Sequence, residues 1–255
     1  SATTDAIIVL IFFAINVSKF ELNRGFESII KTDNMKNLFF IDFETTGLNP
    51  YHDEPIEIGI QKYGAPADAF YNTLIIPTEN GVHYKYVPPR IVEITGITDK
   101  QITQSGISHD DAIFNTFKYI EENSEDGPIY IIAHNGLSFD FIFFRKMIHL
   151  YSNRDGGAAA GTRSKSIKET TTQRIKYLDT VLLARYLLPN ERVNQPSLCK
   201  KYNIKNTDEH RSMGDVLSLM KIYKIICEQL SYTKGHPNKN HYLENTNKVI
   251  EELFI

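Results

Sequence analysis

Asp42 and Glu44 close an apolar run in the segment LFFIDFETTGL (residues 38–48), which then breaks at Thr45, Thr46 and Gly47. The run reads as a buried strand, and side chains two apart on a strand point to one face. The two carboxylates therefore share a face at the strand's end. Like charges there repel, and a buried carboxylate without a partner costs several kcal/mol or stays protonated. A bound divalent cation resolves the conflict, and an all-oxygen pair suits a hard ion such as Mg²⁺ or Mn²⁺ rather than zinc. The competing reading is a solvated Asp-x-Glu, so further carboxylates must reach the pair before it means a metal site.

Two candidates exist. Asp140 falls in the first turn of an expected helix after the strand-like PIYIIAHN (128–135), and Asp215 heads a long helical pattern after Gly214. Acids at these places also serve as caps favoured by the helix dipole. In an open α/β sheet, however, strand ends and helix N-termini form the crevice where ligands bind, so Asp42, Glu44, Asp140 and Asp215 can converge. Four carboxylates match the charge of two Mg²⁺ ions about 3.5–4 Å apart, an arrangement suited to phosphodiester cleavage. His210 lies five residues before Asp215. On a continuous helix it would point about 140° away, so it is expected on the preceding loop, with Gly214 supplying the turn. An imidazole titrating near pH 6.5 suits a general base; the alternative is a solvated side chain.

The elements that must position these groups follow the hydrophobic pattern. After the first strand, EPIEIGIQKYG (54–64) and AFYNTLIIP (69–77) extend a meander, and residues 88–102 read as a short helix broken at Gly96 followed by a loop. A helix over 108–123 with Ser108 as cap, a fourth strand at 128–135 and an apolar helix at 139–151 come next. Residues 152–174 are rich in Gly, Ala, Ser, Thr and basic side chains and read as a mobile surface loop. A strand at 175–179 and helices at 180–188, 196–203 and 214–230 complete a mixed sheet flanked by helices.

With 255 residues, 42% hydrophobic, the chain suits one large α/β domain. Twenty-eight basic against 31 acidic residues leave a net charge of -3, which excludes a protein that coats nucleic acid by overall charge. Two cysteines, Cys199 and Cys227, provide neither a disulfide framework nor a zinc motif and point to a reducing, intracellular setting. The apolar stretch at 6–17 is short for a bilayer span and lacks preceding Lys or Arg. A signal or anchor, an extra packed element, and an extension upstream of a start at Met35 are the readings open for it.

FIDFETTGL, AHNGLSFD and HRSMGD, with ITGIT (94–98) and LDTVLLAR (178–185) between them, occur in the order found in the DEDDh exonucleases of the DnaQ-like, ribonuclease H-like superfamily, which the chain resembles over residues 36–230. The resemblance implies a three-layer ribonuclease H-like fold with a five-stranded mixed sheet, and release of mononucleotides from a 3′ end. It implies that Asp42, Glu44, Asp140 and Asp215 hold two Mg²⁺ ions, with Mn²⁺ as substitute, and that His210 is the general base. It further implies that backbone amides near Glu44 and Thr45 receive the 3′ hydroxyl and that Leu48 and Ile94 wedge against the last bases. Asn135, with His134, would orient the site, and Phe139 would touch substrate or join the core, whereas Phe43 reads as core.

The expected substrate is therefore DNA, single-stranded or frayed, in repair or proofreading, with the same chemistry on RNA and a non-catalytic, polymerase-associated binding module as alternatives. A polymerase partner or self-association fits the resemblance; a membrane partner does not. The expected organisation is an extension at 1–35, a catalytic domain at 36–232 with a basic insertion at 152–174, and a tail at 233–255. The insertion carries Arg154, Arg163, Lys165, Lys168 and Arg174, charge suited to a phosphate backbone.

Overall fold

The computed structural model describes residues 36–79, 83–152, 169–206 and 209–232. The strands are β1 (Leu38–Thr45), β2 (Pro55–Lys62), β3 (Phe70–Leu74), β4 (Thr78–Glu79), β5 (His83–Tyr84), β6 (Ile129–Ala133) and β7 (Ile175–Asp179). The helices are α1 (Pro89–Thr95), α2 (Asp99–Ser105), α3 (His109–Asn123), α4 (Asp140–Ser152), α5 (Glu169–Gln173), α6 (Thr180–Leu187), α7 (Gln195–Lys201) and α8 (Ser212–Tyr232).

Five strands form one mixed sheet in the order β3-β2-β1-β6-β7, antiparallel through β3, β2 and β1 and parallel from β1 through β6 to β7. The strand alternation decides which helices cover which face. Phe39, Ile41 and Phe43 pack with Ile58, Ile60, Ile129 and Ile131 against α3 and α4. Leu38 and Phe40 pack with Tyr130, Ile132 and Leu178 against α6, α7 and α8. Phe39, Phe40 and Ile41 are fully buried, and each such Phe or Ile is worth about 1.5–3 kcal/mol relative to exposure. Phe117 stacks on Phe144 at 5.8 Å on the first side, and Phe40 meets Tyr223 edge-on at 5.2 Å on the second. Asp42 and Glu44 continue the Leu38–Phe40 face, so the acids emerge under the N-terminus of α8.

Helix ends follow the chemistry of their first turns. Ser108 accepts from the Asp111 amide and caps α3 as expected. The stretch up to residue 102, expected as loop after Gly96, instead begins α2, because Thr98 and Gln101 make a reciprocal capping box that starts a new helix directly after Gly96 ends α1. The third strand is shorter than 69–77, and the chain beyond it makes a two-residue β4/β5 ribbon. Gly214 is not a turn residue: it lies inside α8, and the left-handed position is His210 itself, at φ 62°. Within the expected loop at 152–174, Glu169–Gln173 is helical, and Thr171 donates to Glu121 of α3. Residues 1–35, 153–168 and 233–255, which include the apolar stretch and most of the basic insertion, lie outside the described residues. Among the described residues no helix is long and apolar enough to cross a membrane.

Candidate active site

The sheet brings three acids together. Asp42 and Glu44 on β1 and Asp215 in the first turn of α8 place carboxylate oxygens within 4.8 Å of one another. What lets α8 come this close is the strand opposite. The β1–β2 register sets Asp42 across from Gly59 and Glu44 across from Glu57. A Cβ on Gly59 would lie 2.8 Å from Ser212 Oγ and 3.0 Å from the Met213 backbone nitrogen, so only bare backbone admits the head of α8. The Asn72 side-chain amide on β3 donates both to Ile58 O and to Ser212 Oγ, tying the same point down.

Asp140 reaches the site from the other layer. The β1–β6 ladder pairs Leu38 through Phe40 and stops, and the Phe43 N–H beyond it donates to Asp140 Oδ1 at 3.0 Å. Asp140 is thus fully buried beside Asp42, outside the group of three whose oxygens converge. Asp179, at the end of β7, shapes the approach: its carboxylate accepts from the amides of Asn135, Leu137 and Val181. It clamps the turn before Asp140 and caps α6 at once.

Asp215 is oriented by three donors. Asn206 and Gln195 side-chain amides donate to Oδ1 at 2.8 and 3.3 Å, and the His210 amide donates to Oδ2 at 3.1 Å. His210 lies on the loop before α8 as expected, about half-exposed, with its Nε2 4.0 Å from Glu209 Oε1. Glu57 is buried yet is no member of the acid cluster. Its Oε1 accepts from Arg211 Nη2 at 2.6 Å, and its Oε2 accepts from Arg211 Nε at 3.1 Å and from the Ser212 amide at 3.0 Å.

The electrostatics are one-sided. Burial, then repulsion from Asp140 and Glu44, pushes Asp42 well above the usual carboxylate range. Burial, then Asp215, raises Glu44 to about 8, although the Arg211 charge pulls the other way. Burial raises Asp140 to about 7 against the opposing bond from Phe43, and raises Asp215 against its donors. Acids shifted together in this direction form a site short of positive charge. An all-oxygen donor set of this kind fits a hard divalent cation.

The remaining expected residues divide. Leu48 and Ile94 are 81% and 42% exposed. Thr45 is buried, its hydroxyl donating to Gly47 O. Phe139 is half-buried, edge-on to Phe143 at the margin of the core. Asn135 is exposed in a left-handed turn, with its amide given to Asp179. His134 does not orient the acids: its ring nitrogens meet Thr180 Oγ1 and Val193 O at 2.8 and 2.7 Å, and burial lowers it to about 4, a neutral brace between β6 and α6.

A family model described as an exonuclease, RNase_T, matches residues 39–223. The chain belongs to this exonuclease family. It is 30% identical over 192 residues to the PolC-type DNA polymerase III of Thermotoga petrophila, covering 74% of this chain and 12% of that one. It is 28% identical over 225 residues to the DNA polymerase III epsilon subunit of Buchnera aphidicola, covering 82% and 84%. Over 194 residues it is 27% identical to exonuclease DPD1 of Arabidopsis thaliana, covering 72% of this chain and 54% of that one. The chain thus spans a small part of the PolC-type polymerases it matches. Escherichia coli exonuclease I bound to a dT13 oligonucleotide shares the fold, with a TM-score of 0.54, 20% identity, and coverage of 81% of this chain and 45% of that one. The five-stranded mixed sheet with flanking helices is the ribonuclease H-like fold of that enzyme.

Sequence reasoning missed Glu57, Arg211, Gln195, Asn206 and the clamp role of Asp179. Only Glu57 had a signal. In PIEIGI the isoleucines take one face, which puts Glu57 and Gly59 on the face of Asp42 and Glu44.

Proposed function

We propose that residues 36–232 are a two-metal 3′-5′ exonuclease domain that releases nucleoside monophosphates from the 3′ end of DNA, with single-stranded or frayed ends preferred. The observation that carries this reading is the convergence of Asp42, Glu44 and Asp215 within 4.8 Å at the end of the central strand. These three hold Mg²⁺, or Mn²⁺ in its place, and Asp140 completes the set beside Asp42. The bound ions supply Lewis-acid stabilisation of the charge that grows on the phosphate oxygens. His210, half-exposed on a loop tied by its amide to Asp215, takes the proton from the attacking water. Asp215 keeps its orientation through Gln195 and Asn206.

The exposed side chains support a frayed end rather than a closed duplex. Leu48 and Ile94 are exposed and available to wedge terminal bases, and Tyr51 and Tyr86 are 86% and 75% exposed. Lys85 donates to the His52 carbonyl and so ties the segment bearing Tyr86 to the loop bearing Tyr51. Exposed aromatic faces stack on bases without reading sequence. The relatives named as polymerase III proteins favour DNA and a proofreading setting beside a polymerase.

The test is digestion of 3′-labelled and 5′-labelled single-stranded DNA and RNA of matched sequence with Mg²⁺, Mn²⁺ or EDTA. Metal-dependent shortening from the 3′ end is expected. Asp215→Ala should lower it by more than the roughly 10–100-fold typical for loss of a residue behind a metal ligand. Faster digestion of RNA would transfer the reading to an exoribonuclease, and binding without digestion would leave a binding module.

A further inference from the structure

Glu57 stands directly opposite Glu44 across the β1–β2 ladder, where like charges destabilise a pair of strands. Yet it is 1% exposed and does not join the acid cluster. Its carboxylate accepts from both arms of the Arg211 fork and from the Ser212 amide. The residue just before Arg211 is His210, a non-glycine residue at φ 62°, a conformation that the surrounding structure must impose. His210 is thus pinned from two sides, through its own amide to Asp215 and through Arg211 and Ser212 to Glu57.

We propose that Glu57 is a positioning residue for the base: by accepting the Arg211 fork and the Ser212 amide it holds the left-handed turn that aims His210 at the acid cluster. The inference rests on the exonuclease reading for the role of His210, and on geometry alone for the latch. Asp215 has further supports, from Gln195 and Asn206, so the latch governs the base more than the metal ligands. The fork matters as well as the charge. Arg presents two parallel donors to a carboxylate, whereas Lys presents one compact charge.

Glu57→Gln keeps the shape but sets an amide donor against the donors of Arg211 and Ser212. Arg211→Lys, at a half-exposed position, keeps the charge beside Glu44 and loses the fork; it carries the test alone should Glu57→Gln fail to fold. For both variants kcat is expected to fall about 10–100-fold, the usual scale for a residue that orients a site from behind. In Arg211→Lys, which keeps every charge beside the acids, KM for oligonucleotide and calorimetric Mn²⁺ affinity should stay at the parent values, and in both variants amide hydrogen exchange at His210 and Ser212 should accelerate. An unchanged kcat in both variants, or in Arg211→Lys full activity or a loss of Mn²⁺ affinity in step with kcat, would overturn the latch. If the parent protein cleaves no nucleic acid, the exonuclease reading fails by itself, and exchange at His210 and Ser212 still decides the latch: accelerated supports it, unchanged refutes it.

Discussion

Gly59→Ala should damage the acid site from a position that supplies no acid, the ladder partner of Asp42. The added Cβ would sit 2.8 Å from Ser212 Oγ and 3.0 Å from both the Met213 backbone nitrogen and its sulfur. The sulfur can swing away. The hydroxyl is held by Asn72 and the nitrogen is main chain, so the head of α8 must retreat about 0.4–0.6 Å to restore ordinary contact at 3.4 Å. Forcing a methyl group into a packed contact costs about 1–3 kcal/mol. In a protein of this size that lowers Tm by roughly 2–4 °C per kcal/mol. The same retreat carries Asp215 away from Asp42, and misplacement approaching 1 Å at a reacting centre can cost on the order of 10²-fold in rate. Thermal unfolding and exonuclease rate should therefore fall together. Gly64→Ala is the contrast: its Cβ meets nothing within 4 Å, and only its φ of 78° makes it costly. That variant should lose stability and keep the parent rate. A Gly59→Ala protein with parental Tm and parental rate would refute the close-approach argument.

The raised acids give a signed pH prediction. Glu44 at about 8 and Asp140 at about 7 bind protons in the folded protein that the unfolded chain has already released above its ordinary carboxylate values. That stabilisation is complete below the unfolded values and is lost as pH rises through about 7 and 8, so metal-free protein should melt lower at pH 9 than at pH 6.5. His134, lowered to about 4, changes stability only below its ordinary 6.5 and leaves this window clear. Mn²⁺ favours the ionised acids and should raise Tm more at the upper end; a metal-free Tm that is flat or rising over the window would contradict the assignment. Tyr86→Ala and Tyr51→Ala should each weaken single-stranded oligonucleotide binding by about 1 kcal/mol, near the lower end for a base stacked on an aromatic ring. Fluorescence anisotropy with a catalytically dead background measures this, and parental affinity in both would remove the stacking role.

What could be read in the chain depended on whether the signal was periodic and local. The alternation from Leu38 to Glu44 placed both acids on one face, and that face proved to be the one α8 covers. Asp140 and Asp215 were legible as helix heads because acids favour first turns, whatever their further role. Other features hinge on where a ladder ends. That Asp140 binds the Phe43 amide follows from the β1–β6 pairing stopping at Phe40, which no local pattern encodes. Glu57 shares the face of Asp42 and Glu44, but the layer that buries that face of β2 is invisible in a single strand. Gly214 attracted the turn that His210 makes, since φ > 0 is ordinarily left to glycine. The missed helix α2 did have a signature, Thr98 and Gln101 at capping-box spacing, masked by Gly96 two residues earlier.

The fold treats its acids in two ways, and the difference argues for an external cation. Glu57 and Asp179 are buried carboxylates whose oxygens are met by donors from the chain itself: a guanidinium and an amide for Glu57, three backbone amides for Asp179. Asp215 likewise accepts three hydrogen bonds, two at Oδ1 and one at Oδ2. What sets it apart is that its carboxylate lies within 4.8 Å of those of Asp42 and Glu44, so three acids face one another. A chain that satisfies Glu57 so fully has the means to neutralise its neighbours, and Arg211 lies near enough to bear on Glu44, yet its fork is turned to Glu57. Apolar substitution of the three acids should accordingly stabilise the metal-free fold, because burial is what raises them.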